Sequence, residues 1–457
     1  MRVPPRPPDE RALLESLGDS DPWRALAIGS SVDDLPDERY LPWRELRHRQ
    51  PLPTLPSLDP GNASPLVLTH EEWWAVLRQA RRRQARAIPS LVDTHGRPFS
   101  FVLTDEVLRQ ADRVTALLKG DIGIGGEVLG SAARDRYVVH SLQEEAITSS
   151  QLEGAITTRR MAKEMLRSGR PPRDVSERMI VNNYAAMQFI REARDRLTPD
   201  LVREIHRIVT EGTLDDPRDA GRLQEPGDAR VGVYAEGDDA LLHQPPPADD
   251  LAPRLQALCD FANGVDDGPY LPGVLRALVV HFMMGYNHFF IDGNGRTARS
   301  LFYWTLLREG YWLAEYVTIS TILRKARVRY GMSFLDVETD GGDLTYFFLY
   351  HLHVLLRAVA ELDAYITRKT SELNTARRRL DPAAGEFNLR QIAVLSAALK
   401  ERERTWTAQG VSRQFAVTVA TAHADLNDLV ERGWMQRRRE GRRHLWSATD
   451  KLADLAA

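Results

Sequence analysis

Residues 274–284 and 300–307 are apolar and patterned for helix, and the run between them is not: His288-Phe289-Phe290-Ile291-Asp292-Gly293-Asn294-Gly295-Arg296-Thr297-Ala298-Arg299. A short polar turn between two buried helices leaves the chain few ways to fold around it. It also gathers an imidazole, a carboxylate and two guanidiniums. Gly293 and Gly295 allow positive φ and let a ligand approach the backbone. A helix starting near Arg296 would have unsatisfied amides in its first turn and a dipole that favours an anion. Arg296 and Arg299, three apart, would point from one helical face toward adjacent phosphates. Asp292 is a hard oxygen ligand suited to Mg²⁺ held jointly with phosphates. His288 can take a proton from a hydroxyl near neutral pH.

The run resembles the signature of the Fic (filamentation induced by cAMP) family, His-x-Phe-x-Asp/Glu-Gly-Asn-Gly-Arg-x-x-Arg. Many members have Pro after the His, where this chain has Phe289, which removes a backbone restraint on His288. The resemblance implies a mainly α fold: a Fic-type helical bundle with a β-hairpin flap. It implies a protein adenylyltransferase that moves AMP from ATP to a Tyr, Thr or Ser hydroxyl with Mg²⁺. In it His288 is the base and Asp292 holds the metal. Gly293, Asn294 and Gly295 cradle the α-phosphate, Arg296 holds the β-phosphate and Arg299 the γ-phosphate.

Upstream, residues 141–156 include Ser149, Glu153 and Gly154. On a helix Ser149 and Glu153 share a face, and Gly154 suits a helix end. Taken alone this is an ordinary amphipathic helix. Beside the signature it resembles the family's inhibitory motif, Ser/Thr-x-x-x-Glu-Gly/Asn. The implication is that Glu153 pairs with Arg299 and competes with the γ-phosphate. Residues 230–243 read as a hairpin containing Val231, Gly232, Val233 and Tyr234, closed by Gln244 and three prolines. It reads either as an insertion or, by resemblance, as the flap that docks a target segment by strand addition, with Phe290 packed beneath it.

At 457 residues the chain suggests about three domains at ~150 residues each. A hydrophobic content of 43% allows packed cores, and a net charge of −3 argues against a globally basic nucleic-acid binder. One cysteine, Cys259, excludes a disulfide framework. With no signal-peptide pattern and no run near the ~20 apolar residues of a membrane span, the expectation is a cytoplasmic protein without membrane contact.

Residues 1–110 read as a Trp-rich N-terminal extension with a hairpin over 88–103, anchored by Trp23, Trp43, Trp73 and Trp74, and with Arg81-Arg82-Arg83 as a solvated helix face. Residues 111–375 read as the Fic domain, and 376–384 as a linker. Residues 385–457 resemble a winged helix-turn-helix whose third helix starts at Ala420, with Arg437, Arg438, Arg439, Arg442 and Arg443 in the wing. Such a unit serves DNA phosphates or protein contacts, and Asp425 in the third helix disfavours phosphate. His351 and His353, two apart on a helix, face different sides and make a poor metal pair. The expected partners are a protein target, which can be the chain itself, DNA through the C-terminal unit, and a second copy in a homodimer. Two other functions use the same groups. One is removal of AMP from a target, with Glu153 aligning a water. The other is a nucleotide-sensing DNA-binding regulator with little turnover.

Overall fold

The computed structural model describes residues 3–30, 40–120, 131–193, 195–228, 230, 232–234, 240–266, 268–380, 387–401, 404–415, 417–440 and 443–454. The fold is mainly helical, and its strands are short and locally paired. The N-terminal layer holds α1 (Glu10–Ser20), α2 (Pro22–Ser30), α3 (Trp43–Leu46), β1 (Thr54–Leu55), β2 (Leu66–Val67) and α4 (His70–Gln84). A capping box starts α4: the Thr69 hydroxyl accepts from the Glu72 amide, and the Glu72 carboxylate accepts from the Thr69 amide. Arg24 from α2 grips the same carboxylate with two nitrogens, tying α2 to the start of α4.

The central body runs through β3 (Arg86–Val92), β4 (Pro98–Phe101), α5 (Asp105–Lys119), α6 (Ser131–Leu152), α7 (Arg159–Ser168), α8 (Val175–Glu192) and α9 (Pro199–Thr210). It continues with β5 (Val233–Tyr234), β6 (Leu241–His243), α10 (Leu251–Asn263), α11 (Gly273–Asn287), α12 (Asn294–Arg308), α13 (Ile319–Lys325), α14 (Arg327–Thr339) and α15 (Thr345–Leu380). Helices α11 and α12 are buried nearly all round, as helices with apolar residues on every side must be. They pack on each other and are wrapped by α5, α8, α9, α10 and α15. The pair is the centre of the main hydrophobic core.

Four features differ from the sequence reading. The hairpin β3–β4 belongs to the main core, not to the N-terminal layer, because Ile88, Leu91, Phe99 and Phe101 are buried within it. It is fastened there by Ser100, whose amide donates to Gly342 and whose carbonyl accepts from Leu344 at the head of α15. The apolar clusters therefore part near residue 85 and not near 110. Helix α15 continues through the arginines expected in a linker, since nothing before Pro382 breaks a helix. Of the four tryptophans, Trp73 and Trp74 are buried while Trp23 is exposed. Finally, Arg81 is a buried cation at 7% exposure and no solvated face. Its guanidinium lies 3.9 Å over the Tyr40 ring, donates to the Tyr346 hydroxyl at 2.5 Å, and sits 3.5 Å from Asp340. Arg78 holds the other Asp340 oxygen at 2.6 Å, so two α4 arginines lock the N-terminal layer to the end of α14.

The C-terminal unit comprises α16 (Leu389–Lys400), β7 (Thr405–Trp406), α17 (Ala408–Phe415), α18 (Val419–Glu431), β8 (Met435–Glu440), β9 (Arg443–Ala448) and α19 (Asp450–Asp454). Its sheet order is β7-β9-β8, and its own core centres on Trp406, Phe415, Leu426 and Trp446. Helix α17 packs on α6 and α7 of the central body.

Replacing Arg81 by alanine strips Asp340 of one of its two cations inside the interface. The expected loss is about 3 kcal/mol of unfolding free energy, read as a lowered urea midpoint at unchanged slope.

Candidate functional site

The backbone of the signature turn is held from three sides. His288 caps α11 at φ 49, ψ 59 and is the one non-glycine residue with positive φ among the described residues. A side chain in that region costs on the order of 1 kcal/mol and persists only where neighbours over-determine it. Here Arg230 donates to the carbonyls of Asn287 (2.7 Å), His288 (2.8 Å) and Pro246 (2.9 Å). The His288 ring is fixed by Nδ1, which donates to the Gly285 carbonyl at 2.9 Å. That bond defines the tautomer, so the neutral ring presents an unprotonated Nε2. Burial, assisted by His243 and Arg230, holds the His288 pKa below the ordinary histidine value despite the Gly285 bond. The ring is therefore a ready proton acceptor at neutral pH.

His206 of α9 supports the second half of the turn. Its Nδ1 accepts from the Gly221 amide and its Nε2 donates to the Asp292 carbonyl, both at 2.8 Å. Its ring stacks on Phe290 at 3.7 Å and 6°. Burial pushes its pKa down to about 4, against a smaller upward pull from the Asp292 carbonyl. Gly293, at φ 79, packs so closely that a Cβ would meet Thr210 Cγ2 at 2.5 Å and His206 Nε2 at 3.2 Å. Asn294 accepts from the Phe290 amide at 3.0 Å and donates to the Phe290 carbonyl at 2.6 Å. Its side chain thus closes the loop, leaving the cradle to backbone amides. Helix α12 has Gly293 as N-cap and no side-chain cap, so its first amides face the site without an internal acceptor.

Both signature arginines are buried at 1% exposure. Arg296 donates one terminal nitrogen to the Val209 carbonyl at 2.7 Å. Its Nε and other terminal nitrogen have no hydrogen-bond partner, and Asp292 stands 3.6 Å away. Burial pulls its pKa below the usual arginine value. Arg299 reaches α6: Nε donates to Ser149 Oγ at 2.7 Å, and one terminal nitrogen donates to the Ser149 carbonyl at 3.1 Å and to Glu153 Oε1 at 2.9 Å. Burial opposes its charge, but Glu153, Tyr330 and Glu145 outweigh that and raise its pKa. Glu145, one turn before Ser149, is a buried carboxyl bonded to the amide and hydroxyl of Ser320.

The α6 helix ends at Leu152, short of the expected 156. Glu153 sits in the turn that follows, with its amide donating to Ser150 and with Gly154 at φ 96. This turn swings the carboxylate over the first turn of α12. A Cβ on Gly295 would come 2.8 Å from Glu153 Cδ, so the second signature glycine makes room for a carboxylate from another segment.

Around this centre the remaining site residues are placed as follows. Val233 and Tyr234 pair antiparallel with His243 and Leu241, and Tyr234 is exposed. A Cβ on Gly232 would meet the Leu241 side chain at 2.7 Å. The pair is moored by His243, whose nitrogens meet the Tyr286 carbonyl at 2.8 Å and Glu338 at 2.7 Å. Val231 lies outside the described residues, as does Arg442. Arg437, Arg438, Arg439 and Arg443 are exposed on β8 and β9, and Arg437 also reaches Asn427 at 3.4 Å. Asp425 does not face outward alone: Arg390 holds both of its oxygens, at 2.6 and 3.1 Å, and ties α18 to α16. His351 is buried against Phe347, with its pKa pushed by burial down to about 3. Two positioning residues escaped the sequence reading. Arg230 stands at the start of the hairpin read over 230–243, and nothing in the residue pattern singles out His206.

Residues 196–306 match the model of the Fic/DOC family. Protein adenylyltransferase Fic of Drosophila willistoni is 30% identical over 186 residues, which is 40% of this chain and 34% of that protein. Protein adenylyltransferase fic-1 of Caenorhabditis elegans is 25% identical over 258 residues, 55% of this chain and 43% of that protein. The chain therefore spans less than half the length of these relatives. A crystal structure of a Fic family protein from Desulfovibrio desulfuricans G20 aligns with a TM-score of 0.48 at 18% identity, over 76% of this chain and 97% of that one.

The neutral state of His206 has a measurable consequence. Its folded pKa of about 4 lies below the ordinary 6.5, so the unfolded ring takes its proton first on acidification. Between those values each pH unit downward favours the unfolded chain by about 1.4 kcal/mol through this group. Urea unfolding at a series of pH values should show a shallower loss in this window for His206→Asn than for the unsubstituted chain. Equal slopes would mean that the ring is not held neutral.

Proposed function

We propose, from the match of residues 196–306 to the Fic/DOC family model, that the chain is a protein adenylyltransferase, transferring AMP from ATP to a Tyr, Thr or Ser hydroxyl of a protein and held in check by Glu153. The observation that carries this reading is the Arg296 guanidinium. It is buried, yet two of its nitrogens lack an acceptor. A buried cation with unused donors beside an uncapped helix N-terminus calls for an anion, and a polyphosphate is the anion that would fill both. The base belongs to the same turn.

In the transfer the target oxygen attacks the α-phosphorus. The new O–P bond forms as the bond to the bridging oxygen of the β-phosphate breaks, pyrophosphate leaves, and the hydroxyl proton passes to His288 Nε2. The α12 amides and Arg296 stabilise charge that grows on the phosphate oxygens, so the residues act chiefly by position and field. Arg230 and the Gly285 carbonyl orient the base.

The residues suit Mg²⁺ as a shared ion. Asp292 is 63% exposed, its Oδ1 accepts from the Gly293 amide at 2.6 Å, and its Oδ2 stands 3.6 Å from Arg296. Among the described residues no cluster of three or more His, Cys, Asp or Glu would hold a metal alone. One carboxylate plus substrate phosphates is a common way to hold this ion. When bound it would offset phosphate charge.

Glu153 acts as a brake because its carboxylate and a γ-phosphate would compete for Arg299. The strand pair of Val233 and Tyr234 with Leu241 to His243 offers main chain for a target segment. The exposed arginines on β8 and β9 would meet a phosphate backbone if the C-terminal unit works as a winged helix-turn-helix. No helix among the described residues is long and apolar enough to cross a membrane.

Incubation with ATP labelled at the α-phosphate tests the reading. Glu153→Gly should raise labelling of the chain or of added protein by roughly tenfold or more, in line with the loss of a charged competitor. Equal labelling with and without Glu153 would remove the brake from the account. His288→Ala should abolish transfer while ATP still binds. Release of AMP from labelled protein by the unsubstituted chain, without transfer by Glu153→Gly, would assign the reverse reaction.

A further inference from the structure

Away from the signature, α6, α7, α15 and the C-terminal unit enclose an open cavity of about 1530 Å³. Its walls are strongly basic. Arg159, Lys163 and Arg167 stand at i, i+4 and i+8 on α7, with Arg160 beside them. Arg368 comes from α15, and Arg404 follows α16. Like charges at i, i+4 spacing repel, so a helix that aims three cations at one space needs negative charge there.

The protein supplies part of it. Buried Glu144 of α6 takes Arg159 at 2.8 Å and Lys163 more closely still, and Glu401 takes Arg404 at 3.2 Å. Glu164 is the other carboxylate in the wall. Arg160, Arg167 and Arg368 have no carboxylate partner among the described residues, and Arg368 instead lies 5.5 Å over the Tyr365 ring. Tyr365 is in turn stacked on His140 of α6 at 4.5 Å. The two sides of the cavity are thus fixed to each other by a ring stack, with unpaired guanidiniums on both.

We propose that this cavity is a second anion site, separate from the signature, that takes a chain of phosphates. Its size exceeds the ~300–1,000 Å³ of usual small-molecule pockets, and its guanidiniums are spread over two walls, which suits an extended polyanion better than a single phosphate. The chemistry is shared by free polyphosphate and by a nucleic-acid backbone. The site lies where α17 docks on α6 and α7, so an occupant touches both the C-terminal unit and the helix that leads into the Glu153 turn.

The test is calorimetric titration of the full chain with inorganic tripolyphosphate at low salt. Two binding events are expected, one at the signature and one in the cavity. Arg160→Ser/Arg167→Ser should weaken one event by about tenfold or more, and so should Arg368→Ser from the opposite wall. Serine at Arg109, exposed on α5 and away from both sites, should leave both events intact. If the α7 pair disturbs folding by circular dichroism, Arg368→Ser decides alone. Binding that is indifferent to all the cavity variants, whether in one event or two, would overturn the proposal, whereas a single event weakened by them places the anion in the cavity with the signature held shut by Glu153. A 12-nucleotide single strand that competes for the cavity event assigns the phosphates to nucleic acid, whereas failure to compete assigns them to free polyphosphate.

Discussion

Burying a guanidinium is expensive unless its donors are met, and the centre of this protein buries two of them three residues apart. Arg299 is met by Ser149 and Glu153 at two of its three nitrogens, and Arg296 only by Val209 at one. Much of the surrounding architecture follows from these demands. Helix α6 must pass close enough to present Ser149, and its end must turn at Gly154 to bring Glu153 over α12. Gly295 must lack a side chain to admit that carboxylate. The site is therefore assembled from segments about 150 residues apart, with the arginines as the reason for their meeting.

The turn itself shows how a strained base can be kept still. His288 is left-handed without being glycine, and Arg230, Gly285 and the α11 backbone hold it from different directions. Behind it His206 serves as a neutral spacer between Gly221 and Asp292, which burial makes affordable by suppressing its charge. Asn294 turns its amide back on Phe290. The polar residues of the run thus divide between building the loop and facing outward, and only geometry separates the two groups.

What could be read from the chain alone follows the same division. The signature and the Ser149–Gly154 segment were legible because residue types and short spacings carry them. The mainly helical class followed from the resemblance, and the apolar runs on either side of the turn were already patterned for helix. Arg81 was not, because three arginines in a row look alike in sequence, and only α4's contact with Tyr346 and Asp340 singles one out for burial. Asp425 misled for the same reason, since its partner Arg390 lies on a different helix. The hairpin β3–β4 was placed in the wrong layer because strand pairing is local while the choice of core is not. Arg230 and His206 act through backbone carbonyls and amides, which leave no trace in residue type.

The contact between Ser149 and Arg299 also bears on the order in which the molecule comes together. The α12 helix cannot bury Arg299 until an acceptor arrives, and that acceptor sits on α6, near the opposite end of the central body's chain. Docking of α6 is thus a condition for closing the core around the signature. A newly made chain would acquire the signature turn and the carboxylate lying across it in one event. Of the three bonds one comes from the Ser149 backbone carbonyl, which any residue at that position would keep, so replacement of either Ser149 or Glu153 leaves Arg299 two acceptors, and of the two side chains only Glu153 brings a negative charge.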